Sequence, residues 1–403
     1  MSGNELGALL RPGDTVLVGT GTGEPAALIE ELILAAGAVP GIRAIQVMTG
    51  GSERLADACG PSLRLLTPVP GSKSRKAIAE GRAEILTDPM SGLLRKILDG
   101  SLRIDGILLQ GRRIDARHAT PGLIGDIMVP AWERARFRAL ELNERLPRIA
   151  CETPLDISAS DYTVYNDREP NELAEDPVSD AAARIGDFVA DIVPDGATIE
   201  LGVGRALAGI VPALVRQRRD LAMHTGIVGT AAMRLIEAGC VSRRIRGNAL
   251  AVGATVMGTA SFYAWADNNP RIALLDSRIA HNADALAATP RFVAINAALQ
   301  VDLQGNINST SHKGRVLSGV GGGADFAAAG ARAEASIIAL FSTDRHGAST
   351  ILSVLESVSV SRAHVTHVVT EHGVAAIRGL SGPACARAVA AIAAPQHRDL
   401  LLG

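Results

Sequence analysis

VPDGATIELGVGRALAGIVPAL (Val193–Leu214) decides the fold, because it restates a passage near the N-terminus. RPGDTVLVGTGTGEPAALIEEL (Arg11–Leu32) runs in the same order: proline, turn, apolar β-branched run, Gly-x-Gly, then a segment of helical period. Gly19 and Gly21 fall opposite Gly202 and Gly204. The next strand ends also match, VMTGG (Val47–Gly51) against MHTGI (Met223–Ile227). Two matches in one order, so far apart, predict two related α/β domains rather than a short-period solenoid.

On either side, short β-branched runs alternate with Ala/Leu-rich helical segments. DTVLVGT (Asp14–Thr20) leads to PAALIEELILAAG (Pro25–Gly37), then AIQVMTG (Ala44–Gly50), then SERLADAC (Ser52–Cys59). That alternation predicts open α/β layers with mainly parallel sheets. The least regular stretch is Thr153–Val178, rich in acids and turn residues. It sets the expected domains at 1–178 and 179–403.

Composition narrows the function. Forty basic residues against 42 acidic ones give no electrostatic reason to expect nucleic acid. Short Arg-rich pieces, RQRRD (Arg216–Asp220) and SRRIR (Ser242–Arg246), read as solvated faces or anion contacts. Cys59, Cys151, Cys240 and Cys385 lie far apart with no C-x-x-C pair, so neither a zinc site nor a redox motif is expected. The start, MSGNELGALLRPGD, lacks a basic segment followed by an apolar one, and no run of about 18 apolar residues occurs. The expectation is a cytoplasmic protein with no membrane partner and no metal.

Candidate chemistry sits at strand-to-helix junctions. GTGTGEP (Gly19–Pro25) and GVG (Gly202–Gly204) let the backbone turn tightly or approach an anion at a helix start. A dinucleotide site would want an acid closing the following strand. Here that strand ends in Met-Thr-Gly, so NAD is not expected. SGVGGGADF (Ser318–Phe326) is denser, and Gly319, Val320, Gly321, Gly322 and Gly323 could cup an oxyanion, admit a thin ligand, or form a plain hairpin tip. Glu371, closing VVTEHG, is placed for acid/base work, for a cap or for a salt bridge. His364 and His367, three apart in a strand, face opposite ways and make poor joint ligands. MHTGIVGT (Met223–Thr230) occupies such a junction, yet it holds no acid, cysteine or serine.

Together these segments resemble the acetyl-CoA hydrolase/transferase group, which includes 4-hydroxybutyrate and acetate CoA-transferases. The resemblance rests on Val193–Gly204, LAMHTGIVGTAAMRLIEAG (Leu221–Gly239), YAWADNNP (Tyr263–Pro270), RFVAINAALQVDLQGNINS (Arg291–Ser309), Ser318–Phe326, ASIIALFST (Ala335–Thr343) and HVVTEHGVAAIRGLS (His367–Ser381). It implies a CoA-transferase-like fold of two α/β domains with the active site between them. It also implies coenzyme A, as an acyl-CoA substrate, with a carboxylate acceptor for transfer, and a homodimer or homotetramer. The first half matches less closely: the proline-rich loop that helps shape the acyl pocket is not visible in LLQGRRIDARHATPG (Leu108–Gly122).

Transferases of the group use a glutamate to attack the thioester. Its place falls in the triplet His224-Thr225-Gly226, at glycine. Asn282 matches an asparagine of the thioester-oxygen site, Gly321–Gly323 the glycine loop serving the same oxygen, and Glu371 the acid of VTExG. The resemblance therefore leaves several readings. In the first, water replaces the glutamate with His224 or Glu371 as base, giving a thioester hydrolase or a C–C hydrolase of a CoA-linked ketone. In the second Glu371 is the substitute nucleophile of a CoA-transferase, and in the third the chain binds acyl-CoA without catalysis.

Overall fold

The structure, a computed structural model, describes residues 5–49 and 51–402. Met1–Asn4, within the stretch on which the expectation of no secretory leader rests, lie outside the described residues, as do Gly50 of VMTGG and Gly403. The chain divides into two compact units, Met1–Leu173 with Gly253–Ala280, and Ala174–Val252 with His281–Gly403. Sequence alone expects one division, after residue 178. Gly253–Ala280 instead belongs with the first unit, because local α/β alternation does not say which layer a segment joins.

In the first unit, β1 (Thr15–Val18) is followed by α1 (Ala26–Ala36), β2 (Ile42–Ile45), β3 (Leu63–Thr67), β4 (Ala83–Ile85), β5 (Gly106–Arg113), β6 (Phe137–Leu142) and β7 (Tyr162–Tyr165). These strands lie in the order β7-β6-β5-β1-β2-β3-β4. Every neighbouring pair among them is parallel. All four residues of β1 are buried, as expected of a parallel strand covered on both faces.

The second unit repeats the plan. It opens with α2 (Asp180–Ile192), β8 (Thr198–Leu201), α3 (Ile210–Gln217), β9 (Ala222–Val228) and α4 (Thr230–Glu237). It continues with α5 (Ala283–Ala287), β10 (Phe292–Ala297), α6 (Gly323–Arg332), β11 (Ala335–Ala339), β12 (His367–Thr370) and β13 (Gly373–Ala376). The strand order is β13-β12-β11-β10-β8-β9, parallel except for the β12–β13 hairpin. In both units the first strand is central, with the next strand on one side and a later strand on the other. The order reverses at β1 and at β8, and such a reversal opens a crevice at the strands' C-terminal ends. Each glycine loop, Gly19–Gly23 and Gly202–Gly204, follows that reversing strand.

Helix α2 shows how the layers close. Ser179 caps it, its side chain accepting from the Ala182 N–H, and Ala182, Ile185, Gly186 and Val189 form the buried stripe. Glycine at positions 186 and 209 permits a close crossing. A Cβ on Gly209 would lie 2.0 Å from the Ala182 carbonyl oxygen, and one on Gly186 would lie 2.2 Å from the Gly209 carbonyl oxygen. Neither carbonyl can yield without moving a helix. Gly209→Ala is therefore expected to destabilise the protein by about 3 kcal/mol, the upper range for overpacking. Urea unfolding would show a lower midpoint at unchanged slope.

Candidate functional site

The residues singled out around β8 and β9 gather in the second unit. Gly226 lies inside β9, two residues from its end, so the motif read as a junction is mostly strand. Alternation puts His224 and Gly226 on one face and Thr225 on the other. Thr225 is fully buried, and its Oγ1 donates to the Leu201 carbonyl at 3.1 Å, fastening β9 to the end of β8.

The Gly226 face has room for one added carbon. A Cβ there would sit 3.4 Å from Phe326 Cε2 and 3.9 Å from His281 Nε2, both ordinary contacts. His281 is only 5% exposed and packs on Phe326, with ring centroids 5.2 Å apart. Burial pushes its pKa down to about 4, and the charge of Asp325 pulls the other way. The imidazole is therefore uncharged at neutral pH. From the other side, a Cβ on Gly322 would lie 2.7 Å from His281 Nε2, so that position is held to glycine by the ring.

The glycine loop leads into α6. Gly319 is buried and Val320–Gly323 are half-buried. Gly321 takes φ 64°, the left-handed region that suits glycine. Gly322 precedes the first turn of α6 with no side-chain cap, and Asp325 is buried in that turn. Asn282, expected beside the thioester oxygen, is exposed at the head of α5, where its Oδ1 accepts from the Ala285 N–H at 3.1 Å. The inward-facing residue of that pair is its neighbour His281.

Beneath the other loop lies a buried carboxyl. Gly204 follows β8 with φ 146°. A Cβ on Gly202 would fall 2.8 Å from Asn296 Oδ1, and one on Gly323 3.2 Å from the same atom, so both loops meet over Asn296. Asn296 Nδ2 donates to Glu200 Oε2 at 2.7 Å, and the Ile295 N–H donates to the same oxygen at 3.2 Å. Burial raises the Glu200 pKa to about 8 although both hydrogen bonds oppose the rise. Glu200 is thus protonated in the fold at neutral pH and ionised in the unfolded chain. Its contribution to stability is complete below about pH 4.5 and is lost as pH rises to about 8. Glu200→Gln, which mimics the neutral acid, is expected to gain on wild type over that interval, by a few kcal/mol. Urea midpoints from pH 5 to pH 9 check it.

Glu371 is placed elsewhere. It follows β12, where its Oε2 accepts from the Ser342 N–H at 2.9 Å and its Oε1 from the Ser342 hydroxyl at 2.6 Å. Between β12 and β9 lie β11, β10 and β8. Four inter-strand steps of about 4.8 Å put the two strands about 19 Å apart, beyond the reach of a glutamate side chain.

Of the residues expected from sequence, the structure places Gly226 and Gly322 against His281, and Gly202 and Gly323 against Asn296, while Asn282 heads α5 and Glu371 is bonded to Ser342. Sequence reasoning missed His281, Asp325, Asn296 and Glu200. Two signals were available: an acid inside the apolar run TIEL, and an asparagine ending FVAIN.

Comparison with known proteins agrees with this architecture. Residues 258–403 match the family model for the acetyl-CoA hydrolase/transferase C-terminal domain. The chain is 29% identical over 392 residues to 4-hydroxybutyrate coenzyme A transferase of Clostridium kluyveri, spanning 94% of this chain and 91% of that protein. It is 26% identical over 233 residues to acetyl-CoA hydrolase of Neurospora crassa, spanning 55% and 43%. Among solved structures, RipA from Yersinia pestis superposes with TM-score 0.88 at 24% identity, covering 99% of this chain and 95% of that one. A 4-hydroxybutyrate CoA-transferase from Porphyromonas gingivalis superposes with TM-score 0.80 at 23% identity, with the same coverage. The fold is that of the CoA-transferases. No described helix is long and apolar enough to cross a membrane.

Proposed function

We propose that this chain, a member of the acetyl-CoA hydrolase/transferase family, hydrolyses an acyl-CoA thioester by direct attack of water. The observation that carries this reading is Gly226. Where a glutamate nucleophile is expected, the strand carries no side chain, and the position is bordered by Phe326 and His281. Water placed there can approach a carbonyl laid against the glycine loop. Backbone N–H groups at Gly321–Gly323 would stabilise the developing oxyanion, a large share of acyl-transfer catalysis. The loops at Gly202–Gly204 and Gly319–Gly323 would accommodate the CoA-linked portion against bare backbone.

The names of the relatives support a second reading, transfer of CoA to a carboxylate. Transfer through the protein needs a carboxylate within bonding distance of the thioester. Glu371, the residue put forward for that task, is held by Ser342 about 19 Å across the sheet.

The experiment is thiol release from a panel of acyl-CoAs with no acceptor acid present. The hydrolytic reading expects release under those conditions. Release that begins only when acetate or succinate is added would replace it with transfer.

A further inference from the structure

We infer that His281 is the general base that activates the water beside Gly226, and that Asp325 is its positioning residue. The inference rests on the hydrolytic reading and names the group that reading lacks. Two histidines compete for the role. His224 shares the strand face of Gly226 but lies two residues back along β9, about 7 Å farther than Gly226 from the C-terminal edge where the loops converge. His281 approaches from outside the strand. Its Nε2 is 3.9 Å from the point where a Cβ of residue 226 would begin, so the ring borders the space beside that residue.

The same nitrogen faces the glycine loop, 2.7 Å from a Cβ position on Gly322. The ring therefore stands between position 226 and the glycine loop, as a base serving both would. Phe326 packs on the ring and fixes its plane. Asp325 precedes Phe326 in the first turn of α6 and is buried, and its charge acts on His281. It favours the imidazolium that forms during attack. Because burial keeps the resting imidazole neutral, the form that accepts a proton is present at neutral pH.

In the reaction the water oxygen bonds to the thioester carbon while its proton passes to His281 Nε2. The carbonyl π electrons move to oxygen, over the glycine loop. Collapse of the tetrahedral intermediate breaks the C–S bond, and the CoA thiolate takes the proton back from His281. The products are a carboxylic acid and free CoA thiol, with no other reactant consumed.

The test measures acceptor-free thiol release by the full chain. His281→Gln is expected to lower kcat by about 10²- to 10⁴-fold with KM little changed. Asp325→Asn leaves the ring in place and should lower kcat about 10-fold or more, again at constant KM, with partial recovery in Asp325→Glu. Imidazole added to His281→Gly should restore part of the lost rate. Wild-type kcat in His281→Gln overturns the assignment while leaving the hydrolytic reading intact. If His281→Gln does not fold, an unchanged kcat in Asp325→Asn overturns it instead. Wild-type protein that releases no thiol without an acceptor overturns both.

Discussion

Gly226→Glu is expected to exchange one chemistry for the other. Acceptor-free thiol release should fall by about 10²-fold or more, since the side chain fills the space assigned to the attacking water. CoA transfer to acetate or succinate should appear, because a carboxylate then stands at the thioester. The backbone accepts the first added carbon: position 226 lies within β9, and that carbon meets Phe326 at 3.4 Å and His281 at 3.9 Å, neither a clash. Thermal unfolding should therefore remain near that of wild type. Borohydride after acyl-CoA treatment should reduce a glutamyl thioester at residue 226, read by peptide mass. A variant that folds, binds acyl-CoA and forms no such adduct would show that the space does not face the thioester.

A second large effect is expected from one methyl group on the opposite side of the ring. In Gly322→Ala the new carbon would stand 2.7 Å from His281 Nε2, 3.1 Å from its Cδ2 and 3.6 Å from Phe326 Cε2. The ring is buried against Phe326, so either it turns out of place or the head of α6 withdraws. Such overpacking costs about 1–3 kcal/mol. Catalysis should suffer more than stability, because displacing a catalytic group by about 1 Å can cost 10²-fold in rate. The expected result is a folded protein whose kcat falls about 10²-fold while urea unfolding shifts modestly. Equal activity in Gly322→Ala and wild type would mean that the position of the ring is irrelevant to turnover.

These contacts also show which features were legible in the sequence. The parallel α/β layers were, because TVLV and TIEL each lead through glycine into a helical run, and a strand buried on both faces reads as continuous apolar sequence. The reversal of strand order at β1 and β8 follows the same recurrence. The membership of Gly253–Ala280 was not legible, since nothing local distinguishes a strand or helix of one unit from that of the other. At the site, Gly226 stood out as a glycine where chemistry was wanted. His281 did not, because its neighbour Asn282 carried the resemblance. Which of two adjacent side chains turns inward depends on the start of α5, where Asn282 becomes the cap. Glu371 looked well placed because it ends a strand. Only the strand order reveals how far across the sheet it stands from β9.

In the proposed reaction water, and no carboxylate of the protein, attacks the thioester. A single turnover with excess enzyme in ¹⁸O-labelled water tests it most directly, with the released acid read by mass spectrometry. Direct attack places one labelled oxygen in the acid on the first turnover. In a glutamyl relay the acid leaves with an oxygen taken from the protein, and the label enters a glutamate side chain instead. One ¹⁸O per acid is the result expected here. An unlabelled acid, with label recovered in a glutamate such as Glu371, would contradict it.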